Sequence, residues 1–270
     1  MSLPPLVAAV LAPPAAAPRD VALLLDFDGT LSHIVPRSED ARLVDGARDA
    51  LEALRDRLGL LGFVSGRGLG DLEAMVGITG CAYAGNHGME IRHPGGPAEV
   101  VPEVRPWIGP VNAFGAALDA ARLDQEGIRL EDKGASLSLH WRTAPDPVRA
   151  EDAARRWLAP HAAEAGFAVT WGRMVMEVRP PVVVHKGTAI RALVAAAGTP
   201  VAAYVGDDRT DADGWAELRR MTAAGELRRC LAVAADGEGV PAAVLDAADV
   251  HVHGPEGVLG MLRELLAALG

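Results

Sequence analysis

The sequence predicts a doubly wound, Rossmann-like parallel α/β sheet interrupted by a smaller α+β segment. Three observations carry this. Short, continuously apolar runs stop abruptly at Asp, Ser or Gly-Asp, as parallel strands covered on both faces do. Amphipathic helical stretches separate those runs. In the middle of the 270 residues the pattern changes to strict alternation, the pattern of an antiparallel sheet with one face toward solvent.

Taken in order, residues 1–17 are rich in Ala, Pro and Leu. They lack a basic start, and Pro4, Pro5, Pro13 and Pro14 interrupt the apolar runs, so the segment is expected to pack on the domain and not to act as a signal peptide. Val21 to Leu25 forms the first core strand and ends at Asp26. Leu43, Val44, Ala47, Leu51, Leu54 and Leu58 then recur at helical spacing. Leu60 to Val64 forms the next strand and runs into Ser65-Gly66-Arg67. Helical stretches follow near residues 111–121 and 149–165. Between them, Ser136 to Trp141 alternates, which places Leu137, Leu139 and Trp141 on one face and Ser136, Ser138, His140 and Arg142 on an exposed one. Val169–Trp171 and Val175–Val178 form a hairpin around Gly172-Arg173-Met174. Trp107, Trp157 and Trp171 are expected in the core of this segment. The parallel pattern resumes with Val201–Val205, Cys230–Ala234 and a closing helix over Val258–Leu269. Residues 1–103 and 181–270 are therefore assigned to the α/β core, and 104–180 to an inserted α+β domain.

A net charge of −10 argues against a nucleic-acid partner. Any site for an anionic ligand has to be locally positive or hold a metal. No stretch approaches the roughly 20 unbroken apolar residues of a membrane span. Cys81 and Cys230 lie far apart and have no metal-ligand spacing, so they read as reduced thiols of a cytoplasmic protein.

Four polar groups stand where strands end or helices begin, where an open parallel sheet gathers ligands. The first is Asp26-Phe-Asp28-Gly-Thr30, in which two carboxylates two residues apart project to one side of an extended chain. Gly29 then permits a sharp turn whose amides can face a phosphate. A carboxylate can attack phosphorus without an activating base, provided a hard cation such as Mg²⁺ cancels its repulsion from the phosphate. Alone, an Asp-x-Asp pair is more often a turn or a helix cap. Here Ser65, with the amides of Gly66 and Arg67, offers a second phosphate contact, and Lys186 before Gly187 supplies a point charge. Gly206-Asp207-Asp208-Arg-Thr-Asp211 ends another strand with three carboxylates. In this order the four groups leave little room for a solvated-surface reading.

Asp26-x-Asp28-Gly-Thr30, Ser65, Lys186 and Gly206-Asp207-Asp208 resemble the four motifs of the haloacid dehalogenase superfamily of phosphatases. The resemblance implies that Asp26 is the nucleophile and Asp28 the general acid and base. It implies that Mg²⁺ is held by the Asp26 carboxylate, the Asp28 carbonyl and Asp207, with Asp208 or Asp211 supporting from behind, and that Ser65 and Lys186 grip the phosphoryl group. Gly85-Asn-His87-Gly-Met-Glu90, Glu131-Asp-Lys133-Gly-Ala-Ser136-Leu-Ser-Leu-His140-Trp-Arg142 and Glu177-Val-Arg-Pro180 further resemble the trehalose-6-phosphate phosphatase family. This places Glu131, Lys133 and Glu177 on a cap that hydrogen-bonds sugar hydroxyls, and adds Gly66, Arg67, Asn86, His87 and Arg142 to the substrate contacts. Read without the family, Glu131, Lys133 and Glu177 are more readily surface ion pairs on an exposed sheet face. Ala212 stands where the family often has Glu. His87 and His140 have no zinc-ligand spacing.

The implied activity is hydrolysis of trehalose 6-phosphate. Sucrose phosphate or a mannosyl phosphoglycerate is the nearest alternative substrate, and a phosphomannomutase or a non-enzymatic binding role is more distant. The expected partner is a small-molecule sugar phosphate, with no nucleic acid or membrane, and the chain is expected to be monomeric. No association with a trehalose-phosphate synthase is inferred.

Overall fold

The structure, a computed structural model, describes residues 4–12, 15–118, 120–172, 174–237 and 239–270. The chain divides into two compact units, one running to Glu99 and resuming at Val184–Gly270, the other comprising Val100–Val183.

The first unit begins with α1 (Pro5–Leu11), whose Val7, Val10 and Leu11 enter its core. Pro13 and Pro14 of the leader lie outside the described residues. Next come β1 (Val21–Leu25), α2 (Ala47–Arg57), β2 (Leu60–Val64), α3 (Leu69–Val76), β3 (Ala82–Gly85), β4 (Glu90–Arg92) and β5 (Ala98–Val100). The second unit contributes α4 (Ile108–Ala117), α5 (Ala120–Glu126), β6 (Arg129–Asp132), β7 (Leu137–His140), α6 (Pro147–Ala153), α7 (Ala159–Glu164), β8 (Ala168–Gly172) and β9 (Val175–Arg179). The first unit then resumes with α8 (Lys186–Ala197), β10 (Val201–Gly206), α9 (Arg209–Ala223), β11 (Arg229–Asp236), α10 (Ala242–Leu245), β12 (Val250–His253) and α11 (Gly254–Ala268).

The core sheet runs β12-β11-β10-β1-β2-β3-β4-β5. Its pairs from β12 to β3 are parallel. Every residue of β1, β2 and β10 is buried, which is why these runs are apolar throughout and do not alternate. From β1 the chain winds outward through β2 and β3, then returns to the other side of β1 through β10. The order therefore reverses between β1 and β10, which creates a switch-point crevice at their carboxyl ends. Register pairs Val21 with Val201 through Leu25 with Val205, so Asp26 and the Gly206-Asp207 turn emerge side by side.

Several local expectations change. The antiparallel extension by β4 was not visible in the pattern, because these strands are short and partly polar. Helix α2 begins at Ala47, later than Leu43, because Gly46 takes the left-handed conformation at φ 83°. The first helical stretch of the second unit breaks at Leu118, whose ψ of 134° is extended. The second is continuous, passing from α6 to α7 through a π-turn at Ala154–Leu158.

The second unit's sheet is antiparallel, in the order β6-β7-β9-β8. Leu137, Leu139 and Trp141 face its apolar core as the alternation requires. The other face is not simply exposed, since Ser136 and Ser138 are fully buried. Ser138 pairs directly across with Glu131 and Glu177, whose longer side chains flank its hydroxyl. Trp107 and Trp157 pack against the core. Trp171 lies at the margin of that core: its ring is 6.2 Å from that of Trp141, but it is 39% exposed, on a strand at the sheet's edge, with the Arg155 guanidinium over its ring. Arg173, in the hairpin turn, lies outside the described residues.

Among the described residues no helix is long and apolar enough to cross a membrane. Cys81 and Cys230 are both free, and burial pushes the Cys81 thiol up to about 12.

Candidate active site

The site grows from the carboxyl ends of β1, β2 and β10. Asp26 follows β1 directly, and its N–H donates to the Val205 carbonyl at 2.8 Å, which continues the ladder one residue past the strand. Its Oδ1 is buried and accepts no hydrogen bond, although Lys186 Nζ lies 3.2 Å away. Gly29 turns the chain at φ 79°, and a Cβ there would lie 2.1 Å from Asp207 Oδ2. Only glycine allows this approach. Thr30 Oγ1 donates to Asp207 Oδ1 at 3.3 Å and steadies the second carboxylate.

Asp211 is the hub behind them. It is fully buried in the first turn of α9. Its Oδ1 accepts from Lys186 Nζ at 2.7 Å and from the Tyr204 hydroxyl. Its Oδ2 accepts from the backbone N–H groups of Asp207 and Asp208, each at 2.9 Å. Both oxygens are thus engaged, and Asp211 fixes the turn that carries Asp207. Asp208 caps α9 and accepts from Thr210 N–H at 2.7 Å.

Beyond β2, Ser65 is buried and its N–H donates to the Ala84 carbonyl at 2.9 Å. The Asn86-His87 turn locks onto this loop, with Asn86 N–H on the Arg67 carbonyl and His87 N–H on the Ser65 carbonyl. Both residues hold left-handed backbone, at φ 53° and 56°, a local strain of about 1–3 kcal/mol each that their surroundings have to sustain. The turn presses the His87 ring against Gly66, where a Cβ would lie 2.6 Å from Nε2. Arg67 Nε and an Nη each donate at 2.6 Å to the two oxygens of Asp28.

One oxygen of each of Asp26, Asp207 and Asp211 lies within 4.8 Å of the others. Burial, reinforced by Asp211 and opposed by Lys186, pushes the Asp207 carboxyl up to about 8. Burial likewise raises Asp26 well above the usual carboxylate range against the pull of Lys186, with Asp211, Asp207 and Asp208 adding to the rise. Burial works against the Lys186 ammonium, but Asp211 and Asp26 outweigh it and hold its proton firmly. A cluster of hard oxygens whose charge exceeds its local cation fits Mg²⁺. Since Asp211 spends both oxygens elsewhere, Asp26 and Asp207 are the side chains fitted to hold it.

On the second unit a polar row crosses the sheet from Glu131 through Ser138 and Glu177 to Thr170. Lys133 Nζ donates to Glu177 Oε1 at 3.1 Å, and Ser138 Oγ donates to the same oxygen at 3.4 Å. His140 Nε2 lies 2.6 Å from Glu131 Oε2. Burial would raise the Glu131 carboxyl, but the His140 hydrogen bond and the nearby Lys133 charge prevail and lower it. Arg142 sits half-buried two residues past His140.

The model of the trehalose-phosphatase family matches residues 24–237, a span holding every residue of both clusters. The chain belongs to this family. The residues gathered at the ends of β1, β2 and β10 are those whose motifs resemble the haloacid dehalogenase superfamily. A trehalose-phosphate phosphatase of Mycobacterium avium is 37% identical over 216 residues, covering 75% of this chain and 52% of that protein. A Mycobacterium tuberculosis protein described as an uncharacterized glycosyl hydrolase is 37% identical over 209 residues, covering 74% of this chain and 15% of that one. The chain therefore spans about half, or less, of the length of these relatives. A solved trehalose-6-phosphate phosphatase related protein superposes with a TM-score of 0.74 at 19% identity, covering 92% of this chain and 97% of that one, a likeness of fold.

Tyr204 and His140 are contacts that sequence reasoning left out of the site. A signal for Tyr204 was present, since it is the one large polar side chain in an otherwise small aliphatic strand, Val201-Ala-Ala-Tyr-Val205. Another signal concerns lysine. Of 26 Lys and Arg residues, only Lys133 and Lys186 are lysines, and each lies in one of the two clusters.

Proposed function

We propose that the protein is a Mg²⁺-dependent phosphatase that hydrolyses trehalose 6-phosphate to trehalose and phosphate through an aspartyl-phosphate on Asp26. One observation carries the chemistry: the buried Lys186 ammonium lies between Asp26 and Asp211 at the sheet's switch point. That arrangement sets Asp26 beside a fixed positive charge that opposes the burial raising its carboxyl, and a bound cation adds to that pull toward the anion a carboxylate nucleophile needs.

In this reading Asp26 Oδ attacks phosphorus, and the sugar oxygen leaves with a proton from Asp28. Asp28 then takes a proton from water, and the resulting hydroxide cleaves the aspartyl-phosphate, releasing phosphate and restoring Asp26. Ser65 and Lys186 hold the phosphoryl oxygens, with the Gly66 amide, Asn86 and His87 forming the wall beside them. Bound by Asp26, Asp207 and the Asp28 carbonyl, Mg²⁺ supplies charge that offsets the repulsion between nucleophile and phosphate. Asp208 and Asp211 steady the ligands.

Family membership supports the substrate, as do the hydrogen-bonding groups on the second unit. Glu131, Lys133, Glu177 and Arg142 make that unit the sugar-recognising cap, because ionised groups bind hydroxyls through charge-assisted hydrogen bonds. The two free thiols fit a cytoplasmic setting, and the chain is proposed to act as a monomer. Phosphate release measured across trehalose 6-phosphate, sucrose phosphate, glucose 6-phosphate and a mannosyl phosphoglycerate tests the assignment. Trehalose 6-phosphate should give the highest kcat/KM. Faster turnover of any other member would overturn the substrate and leave the Asp26 chemistry standing.

A further inference from the structure

The contacts of Asp28 conflict with its proposed task. A general acid presents an O–H to the leaving oxygen, and a general base presents a lone pair to water. Both Asp28 oxygens instead accept hydrogen bonds from Arg67 at 2.6 Å in a fork-to-carboxylate pair. The guanidinium is further anchored by a hydrogen bond of 2.9 Å to the Ser38 carbonyl, and it lies 5.3 Å from the Phe27 ring centroid. Its side chain is only 11% exposed, whereas that of Asp28 is 33% exposed. In this state the carboxylate is held as an acceptor on both sides.

We infer that Arg67 is a substrate-displaced latch on Asp28: the phosphate of the incoming ester takes the guanidinium, and Asp28 is thereby freed to move its proton. This rests on the phosphatase reading above. Arg67 stands two residues beyond Ser65, and its N–H donates to the Ser65 hydroxyl oxygen at 3.3 Å. The fork that grips a carboxylate matches two phosphate oxygens equally well. The exchange is one of hydrogen-bond acceptors alone; no covalent bond changes. Its consequence is timing. The acid and base group is released only when a phosphate occupies the site, so Arg67 acts as a positioning residue through Asp28.

A competition of this kind has a thermodynamic signature. If phosphate has to pull Arg67 from Asp28, removing the Asp28 charge should strengthen phosphate binding, and the gain should depend on Arg67. The test is a double-mutant cycle over the full-length protein, Asp28→Asn and Arg67→Ala singly and together, titrated with inorganic phosphate by calorimetry in Mg²⁺. Asp28→Asn should tighten phosphate binding by about tenfold with Arg67 present and by less than about twofold without it. An equal gain in both backgrounds would show simple charge removal and overturn the latch. So would a crystal with phosphate bound in which both Arg67 hydrogen bonds remain on Asp28. If Arg67→Ala does not fold, Arg67→Lys completes the cycle, because it keeps the charge but cannot span two oxygens. Absence of phosphate binding by the unmutated protein would overturn the phosphatase reading itself, and the latch with it.

Discussion

Both units hold clusters of charge, but the clusters are built differently. In the first unit Asp26, Asp207, Asp208 and Asp211 surround Lys186, so carboxylates outnumber the ammonium. In the second, Glu131 is matched by His140 and Glu177 by Lys133. Burial, aided by neighbouring carboxylates, raises the carboxyls of Asp26 and Asp207, although Lys186 and Thr210 lower that of Asp208; in the second unit His140 and Lys133 lower that of Glu131 against burial. Under the proposed function, the first cluster leaves room for charge that a cation and a phosphate would bring, whereas the second has its charges already paired and would offer a sugar hydrogen bonds to share.

The most severe way to break this contrast is Asp26→Asn, which keeps volume and removes the anion. Turnover of every phosphate ester should fall by at least about 10³-fold with the fold retained, as read by steady-state phosphate release and circular dichroism. Substantial activity in that variant would mean that another group is the nucleophile. Glu177→Ala sharpens the other side. It should lower kcat/KM for trehalose 6-phosphate by about tenfold to a thousandfold, since each charged hydrogen bond contributes roughly 1.5–3 kcal/mol and remote binding also drives the chemistry. Hydrolysis of p-nitrophenyl phosphate, which has no sugar, should fall far less. Equal losses on both esters would make Glu177 a structural residue.

The smallest effect concerns metal and pH. The Asp207 carboxyl, raised from its ordinary 3.8 to about 8 in the folded protein, binds more protons folded than unfolded between those values. The Asp207 contribution to the stability of the metal-free protein should therefore be fully present below about pH 4 and be lost as pH rises through about 8. Mg²⁺ at 100 times its Kd should add about 2.7 kcal/mol, and the increment should grow with pH across that window. Urea titrations at several pH values, with metal and with chelator, measure both. An increment that shrinks as pH rises would show that the acidic cluster is not where the metal binds.

Much of the core was legible because buried parallel strands have no polar face to confuse the reading. The spans Val21–Leu25 and Leu60–Val64 match the strands residue for residue. What resisted was long-range or locally exceptional. The strands β4 and β5 are too short to show a period. The burial of Ser138 depends on neighbours 7 and 39 residues away in sequence, since it pairs with Glu131 and Glu177. No spacing rule indicates that Arg67 turns to Asp28, because Asp28 and Ser65 both lie near enough for a long flexible side chain. The partial exposure of Trp171 follows from its place on an edge strand, and edges are set by topology.

The scarcity of lysine has a practical consequence. Side-chain amines occur only at positions 133 and 186, one in each unit, and those side chains are 8% and 3% exposed. Acylating reagents can therefore modify a lysine only when the unit around it opens, so the rate at which each acquires a mass tag measures the opening of that unit by itself. Two numbers from one digest would report the opening of each unit, with no residue to replace.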